Sequence, residues 1–163
     1  MRVVVLSDTH LRRGSTRRLT GAALDELAGA EAILHAGDVV DDSLLHQLAD
    51  LAPVHAVLGN NDDELVGCLP DVLALELGGV RVGMVHDSGV RAGREARLRR
   101  RFPGADLVVF GHSHIPCDSV GVDGQRLLNP GSPTERRRQA HKTLATLDLA
   151  DGLIVGTRLV EVD

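Results

Sequence analysis

Five short apolar segments of this chain each end directly in polar residues that can bind metal ions. Apolar runs of this length, bounded by glycine and polar residues, are typical of buried β-strands. In an open α/β sheet, ligands bind outside the carboxyl ends of the strands. If the five strands lie side by side, we expect their polar residues to meet at one edge. These residues are Asp8 and His10, Asp38, Asn60 and Asn61, His86, and His112 and His114.

Amphipathic segments of helical period separate the first three strands. Residues 18–29 and a segment capped by Asp41 or Asp42 carry leucine and alanine on one face, as helices packed on a sheet do. A third, arginine-rich helix is predicted at residues 91–101, and Gly78-Gly79 predicts a hairpin turn. The predicted strands are Arg2–Ser7, Ala32–Ala36, Val54–Leu58, Val72–Leu77, Val80–His86, Asp106–Phe110, Asp118–Val122, Gln125–Asn129, Thr143–Leu149 and Leu153–Val162.

The order of these elements predicts the fold class. Parallel strand–helix units followed by antiparallel strands indicate an α/β four-layer sandwich, in which two mixed β-sheets are flanked by α-helices. The 163 residues suit a single domain spanning residues 1–163. Two cysteines are too few for a disulfide framework, and the N-terminal apolar run is too short for a signal peptide. No apolar run approaches the roughly 20 residues of a membrane span. We therefore expect a cytoplasmic protein without membrane contact.

Charge and aromatic content restrict the partners. The chain contains no Tyr or Trp, and its only aromatic rings besides histidine are Phe102 and Phe110. This composition disfavours nucleic acid as a partner, because single strands are usually bound by stacking bases on aromatic side chains. The formal net charge is −5, so an anionic substrate requires a local positive feature.

The polar clusters can supply that feature by binding metal ions. Apart from Asn61, they combine two Asp, four His and one Asn, a mixed nitrogen and oxygen set that suits Mn²⁺, Fe²⁺, Zn²⁺ or Ni²⁺. Seven ligands are too many for one catalytic ion, whereas two ions that share a carboxylate fit. Two divalent ions with two carboxylates and one bridging hydroxide leave a charge of about +1. Such a pair clamps a phosphoryl group and lowers the pKa of the bridging water.

The ordered set of motifs resembles the calcineurin-like metallophosphoesterase superfamily. The motifs are Asp8–His10, Gly37-Asp38, Gly59–Asp62, Gly111–His114 and Asn129–Ser132, with a further histidine after a strand. The chain is most similar to the small bacterial and archaeal phosphodiesterases of that superfamily. This resemblance implies the sandwich fold and an enzyme that hydrolyses a small phosphate ester. The reaction it implies is in-line attack by a hydroxide that bridges two divalent metals.

The resemblance also implies which residue binds which ion. Asp38 corresponds to the bridging carboxylate, and Mn²⁺ is the first expectation, with Ni²⁺, Fe²⁺ and Zn²⁺ left open. The ligands implied for the first ion are Asp8, His10 and His114, and those for the second are Asn60, His86 and His112.

Asn61 departs from the family pattern, since relatives commonly have His or Cys at this position. Asparagine cannot donate a proton at neutral pH, but it can hydrogen-bond a phosphate oxygen. We therefore expect aryl esters to be preferred over alkyl esters. Asn61, Asp38 and His112 are assigned to catalysis, and Asn61, Arg12 and Arg13 to substrate binding.

Other interpretations stay open. A non-catalytic protein-binding module of the same fold is the main alternative, and the change at Asn61 favours it. A nuclease is supported only by arginine clusters, such as Arg97 and Arg99–Arg101 on an expected exposed helix face. Arg136–Arg138, like Arg12 and Arg13, are candidates to bind the part of the substrate that does not react. Asp62 and Asp87 are candidates to orient ligand imidazoles. A homo-oligomer is also left open.

Overall fold

The computed structural model describes all residues from Met1 to Asp163. The helices are α1 (Gly21–Ala28), α2 (Asp42–Ala49) and α3 (Arg94–Arg101), and short 3₁₀ turns lie at Asp63–Leu65 and Val122–Gly124. The strands are β1 (Arg2–Leu6), β2 (Ala32–His35), β3 (Val54–Ala56), β4 (Val72–Leu77), β5 (Val80–Val85), β6 (Leu107–Val109), β7 (Cys117–Val120), β8 (Arg126–Asn129), β9 (Thr143–Ala150) and β10 (Leu153–Glu161).

The strands form two mixed sheets of five. The first has the order β10-β9-β1-β2-β3, in which β1, β2 and β3 are parallel and β9 is antiparallel to both of its neighbours. The second has the order β4-β5-β6-β8-β7, in which β5, β6 and β8 are parallel and the edge strands are antiparallel. Two mixed sheets flanked by three helices confirm the predicted fold class.

Apolar side chains between the sheets form the main core. Val3 and Val5 of β1 belong to the same buried cluster as Val82 and Met84 of β5. Burial of each such side chain contributes about 1.5–3 kcal/mol. Helices cover the outer faces: Leu27, Leu44 and Leu48 pack with β1 and β2, and Leu98 and Phe102 pack with β6.

The helix boundaries have identifiable causes. Thr20 accepts a hydrogen bond from the Ala23 N–H, so α1 begins after Thr20, later than the predicted residue 18. Asp41 rather than Asp42 caps α2, because its carboxylate accepts from the Ser43 N–H. The hairpin at Gly78-Gly79 is confirmed, and both glycines have positive φ.

The five strands that carry the polar clusters do not lie side by side in one sheet. β1, β2 and β3 belong to the first sheet, whereas β5 and β6 belong to the second. Their carboxyl ends meet because the two sheets are face to face. The His86 ring nitrogen Nδ1, after β5, is 2.7 Å from the Ala36 carbonyl oxygen, after β2. The polar clusters therefore converge across the two sheets.

Candidate metal centre

The structure brings together the seven side chains that the sequence nominates as metal ligands. Each lies in a loop after a strand. The carboxylates and one histidine are buried deepest, while Asn60 and His112 are exposed at the mouth. By loop, the seven are Asp8 and His10 after β1, Asp38 after β2, Asn60 after β3, His86 after β5, and His112 and His114 after β6.

One half of the centre is built around Asp8. Its Oδ1 atom is 3.3 Å from His114 Nε2 and 4.0 Å from His10 Nε2. The two Nε2 atoms are 3.3 Å apart, and the rings are stacked. Three donor atoms thus face a common point.

The other half converges on an amide oxygen. Asn60 Oδ1 is 3.2 Å from His86 Nε2 and 2.8 Å from His112 Nδ1. Asp38 lies between the halves, because its Oδ2 is 3.4 Å from the Nε2 atoms of both His10 and His86.

The donor set fits divalent metal ions. Asp8 Oδ1 is buried and has no hydrogen-bond partner, and an unpaired buried carboxylate oxygen is costly. Asp8, His10 and His114 form one compact group of ligand atoms, and Asp8, Asp38 and His86 form a second. Imidazole and carboxylate are the ligands that transition metals take in proteins.

The ring tautomers also suit metal binding. A backbone carbonyl can only accept, so His86 Nδ1 carries the proton that it donates to the Ala36 carbonyl oxygen. His114 Nδ1 donates in the same way to the Glu135 carbonyl oxygen at 3.2 Å. In the neutral form of each ring, the Nε2 atom then carries a lone pair that faces the centre.

Backbone geometry at the ligands is strained. Five of the seven candidate ligands have φ in the left-handed region, which side-chain-bearing residues rarely adopt. Each such residue costs on the order of 1 kcal/mol, and such residues cluster at functional sites. The five, with their φ angles, are Asp8 at 54°, His10 at 45°, Asp38 at 57°, His112 at 67° and His114 at 57°.

The glycines of the motifs allow the loops to approach closely. A Cβ atom on Gly59 would lie 2.2 Å from Asp38 Oδ1, and one on Gly111 would lie 1.8 Å from Ser7 Oγ. No side chain fits at either position without moving a carboxylate or its neighbour. The Gly-Asn and Gly-His pairs are therefore packing requirements of the centre.

Burial and charge set the proton affinities of these groups in the metal-free protein. Burial raises the pKa of Asp8 to about 6. Burial also lowers the pKa of His10, and it lowers that of His114 to about 4, so both rings are neutral at pH 7. For Asp38 burial acts to raise the pKa, but hydrogen bonds from His86 and Asn61 outweigh it and hold the pKa below its usual range. Conversely, burial acts to lower the pKa of His86, and the Asp38 carboxylate outweighs it.

The residues assigned to substrate binding occupy different positions. Asn61 is exposed beside the centre, and its side-chain amide donates to Asp38 Oδ2 at 2.8 Å. Arg12 lines two cavities that both border Asn61. Arg13 lines only the more acidic of the two, and its backbone N–H binds the Asp41 carboxylate.

Comparison with known proteins identifies the family. Residues 1–152 match the model of the calcineurin-like phosphoesterase superfamily domain. A probable metallophosphoesterase of Methanocaldococcus jannaschii is 38% identical over 159 residues, which are 94% of this chain and 78% of that protein. The chain belongs to the calcineurin-like phosphoesterase superfamily. A second probable metallophosphoesterase, from Methanothermobacter thermautotrophicus, is 36% identical to this chain. The alignment covers 84% of this chain and 80% of the relative.

Solved structures share the metallophosphoesterase fold. A Thermotoga maritima protein superposes with a TM-score of 0.73 at 29% identity and covers 98% of both chains. Vps29 of Entamoeba histolytica, solved in complex with Zn²⁺, superposes with a TM-score of 0.76 at 22% identity over the whole of both chains. At that identity the likeness shows the fold alone. Members of the family use divalent metal ions. Separately, none of the helices of this chain is long and apolar enough to span a membrane.

Asp62 supports the metallophosphoesterase centre in a way that sequence reasoning missed. Its buried carboxylate contacts no imidazole. It accepts instead from the backbone N–H groups of Asp38, Val40 and Gly59, at 2.7–2.9 Å. Asp62 therefore ties the loop after β2 to the loop after β3. Asp87 accepts from the Gly89 N–H, so it does not orient an imidazole either.

The Asn129–Ser132 motif joins the two sheets behind the centre. Asn129 Nδ2 donates to the Gly111 carbonyl oxygen at 2.9 Å, and Ser132 Oγ donates to the Asp8 carbonyl oxygen at 2.8 Å. These bonds hold the loops after β6 and β1. The signal for these bonding partners lies outside the local sequence.

Proposed function

We propose that this metallophosphoesterase is a phosphodiesterase that hydrolyses a small phosphate ester with two divalent metal ions. The observation that carries the proposal is the position of the two carboxylates. Asp38 Oδ2 is equally distant, at 3.4 Å, from one imidazole of each half of the centre. Asp8 Oδ1 is buried without a hydrogen-bond partner. Two neighbouring cations need one carboxylate that both can share, which Asp38 offers. They also need a further carboxylate oxygen free to bind one of them, which Asp8 offers.

The distances support the ligand assignment that the family resemblance implies. Asp38 is proposed as the shared ligand. Mn²⁺ is proposed as the ion on family resemblance, and the same donors accept Ni²⁺, Fe²⁺ or Zn²⁺. The proposed ligands of one ion are Asp8, His10 and His114, and those of the other are Asn60, His86 and His112.

The chain's own residues position the reaction. When bound, two divalent ions lower the pKa of a water between them and neutralise charge on the phosphoryl group. Asn61 holds Asp38 through both its backbone N–H and its side-chain amide, at 2.9 and 2.8 Å. Asn61 and the exposed His112 border the mouth, where the ester enters. Because Asn61 cannot protonate a leaving oxygen, leaving groups of low pKa are favoured.

Two alternatives receive less support. A non-catalytic binding module does not need metal ligands, yet all seven candidates are present and converge. A nuclease would use free arginines, but two of the four named on α3 are engaged within the chain. Arg97 donates to the Ser88, Val90 and Ala92 carbonyl oxygens, and Arg99 pairs with Asp123, so the expected exposed basic face is wrong for these two.

We also propose that residues 1–163 act as one domain, because side chains of both sheets share one core cluster.

A chromogenic assay tests the proposal. The protein is stripped with a chelator and assayed with bis(4-nitrophenyl) phosphate and 4-nitrophenyl phosphate, with Mn²⁺, Ni²⁺, Zn²⁺ or Mg²⁺ added. We expect metal-dependent turnover, with the diester preferred. Asp38→Asn should lose at least 10³-fold in kcat, an order-of-magnitude figure typical of losing a major electrostatic group.

Asp87→Asn is the matched control, because Asp87 is exposed and next to His86, and its side chain forms no hydrogen bond or ion pair with any of the seven residues. It should keep near wild-type turnover. Turnover that survives chelation, or Asp38→Asn activity equal to that of the control, would refute the two-metal mechanism. No turnover of either ester with any metal would favour the binding module.

A further inference from the structure

Two cavities of equal size, each about 460 Å³, border Asn61 at the mouth of the metal centre. Arg12 lies on the wall that both share. The first cavity extends past Arg13 toward α2, and the second extends past His10 toward the loop after β8. Because the two cavities are equal in size, the chemistry of their linings decides which one binds the part of a substrate that does not react.

The charges on the two walls are opposite. The cavity toward α2 is lined by four carboxylates and two guanidiniums, a formal charge of −2. The cavity beside His10 is lined by Arg12, Arg17 and Arg137 and by one carboxylate, Glu135, a formal charge of +2. This second cavity is the arginine cleft. On a chain of net charge −5, a pocket of this sign at the reaction centre attracts anions.

Two of the cleft's guanidiniums have no partner in the chain. The side chains of Arg12 and Arg137 form no ion pair and no hydrogen bond, and both are exposed. Arg17 is held, because it donates to the His10 carbonyl oxygen at 3.5 Å and pairs with Glu135 at 3.6 Å. Glu135 is thereby largely neutralised by Arg17. Arg137 has φ of 49°, a left-handed conformation that places a strained residue at the cleft, as at the metal ligands.

The remaining lining limits the ligand's chemistry. The cleft has no apolar side chain in its wall. Both phenylalanines of the chain are buried, and there is no Tyr or Trp, so no ring is available to stack on a nucleobase. The cleft therefore suits a compact polar group with a negative charge, recognised by guanidinium forks.

We infer that the arginine cleft binds a second anionic group on the substrate. This group is a carboxylate or phosphate carried by the alcohol that remains esterified to the phosphate after hydrolysis. The substrate class is then a small, non-aromatic phosphodiester with an anion beyond the scissile phosphate. This inference rests on the proposed phosphodiesterase activity. Arg12 and Arg137 are the specificity residues, and Arg17 positions Glu135 away from the incoming anion.

Matched chromogenic substrates test the inference. 4-Nitrophenyl propyl phosphate and 4-nitrophenyl 2-carboxyethyl phosphate release the same 4-nitrophenolate and differ only in the carboxylate. Wild-type enzyme should have a KM at least tenfold lower for the carboxylated ester. Arg137→Gln should raise that KM about tenfold, because one charge-assisted hydrogen bond contributes at least about 1.4 kcal/mol. The KM for the propyl ester and both kcat values should change less than twofold.

Arg18→Gln is the matched control, since Arg18 is exposed, adjacent to Arg17 and outside the arginine cleft. It should leave the ratio of KM values at the wild-type level. A second readout is the binding of inorganic pyrophosphate to the metal-free protein, measured by calorimetry. The affinity for pyrophosphate should fall about tenfold in Arg137→Gln.

The outcomes separate the two proposals. Equal KM values for both esters in the wild type, or the same KM ratio in Arg137→Gln and Arg18→Gln, overturn the arginine cleft and leave the phosphodiesterase proposal intact. No turnover of either ester, with pyrophosphate binding that depends on Arg137, overturns the phosphodiesterase proposal but supports the cleft as an anion site. Pyrophosphate binding that is unchanged in Arg137→Gln overturns the cleft in the metal-free state as well.

Discussion

Replacing Asp8 with Asn should stabilise the metal-free protein while removing a proposed metal ligand. Burial raises the pKa of Asp8 from 3.8 to about 6, because Oδ1 has no partner in the protein interior. Because the pKa of Asp8 is higher in the folded than in the unfolded state, protonated Asp8 contributes to folding stability. That contribution is complete below about pH 3.8 and is lost as the pH rises through 6. Ionised Asp8 therefore destabilises the metal-free fold at neutral pH.

The magnitude follows from the shift. A difference of about 2 pKa units corresponds to about 3 kcal/mol in the free energy of unfolding at pH 7.5, and to about 1 kcal/mol at pH 4.5. Asparagine has the same shape, and its oxygen can keep the hydrogen bond from Ser7 Oγ, which is 2.8 Å long in the wild type. Its amide can then donate to His114 Nε2, 3.3 Å from Oδ1.

Urea unfolding in EDTA, followed by circular dichroism because the chain lacks Trp and Tyr, measures the effect. Asp8→Asn should gain about 3 kcal/mol at pH 7.5 and about 1 kcal/mol at pH 4.5. Asp62→Asn is the contrasting variant, because Asp62 accepts three backbone hydrogen bonds and its loss should destabilise the fold by about 2 kcal/mol or more. A loss of stability in Asp8→Asn at pH 7.5, or a gain that does not depend on pH, would refute the reasoning.

Three further predictions concern other parts of the centre. Gly111→Ala should destabilise the fold by about 1–3 kcal/mol in urea, because its Cβ would lie 1.8 Å from Ser7 Oγ, whereas Gly21→Ala, with open space around it, should not. Burial lowers the pKa of His35 to about 3, so its contribution to stability is complete above pH 6.5 and lost as the pH falls. His35→Leu should flatten the fall of unfolding free energy between pH 6.5 and 4; an unchanged slope contradicts this. Asn61→His should raise alkyl-ester turnover relative to aryl-ester turnover about 10²-fold if a missing proton donor limits the wild type, and an unchanged ratio excludes that explanation.

Much of the architecture could be predicted from the chain alone. Alternating apolar runs and helical periods locate every strand and helix to within a few residues, since binary patterning reflects which face is buried. The distribution of strands between sheets was not predictable in this way. β3 and β5 have the same kind of polar ending, yet belong to different sheets, because pairing depends on contacts distant in sequence.

The sequence predicts the candidate members of the site, but it predicts less of what supports them. Ligand-type residues after strands nominate Asp8, Asp38 and the histidines without any structure. The three hydrogen bonds of Asp62 and the position of Arg17 at the cleft depend on how loops fold, so local patterns do not contain them. Exposure also departs from periodicity: Leu24 lies in the amphipathic segment predicted at residues 18–29 but is about half exposed.

Metal stoichiometry tests the central claim most directly. Protein that has been stripped of metal with a chelator and freed of the chelator is titrated with Mn²⁺ by calorimetry. Turnover of bis(4-nitrophenyl) phosphate is measured at each point of the titration. The account predicts two bound ions per chain, with turnover that requires the second, and at most one ion in Asp38→Asn. Binding of no ion or of a single ion to the wild type, or full turnover at one equivalent, would contradict it.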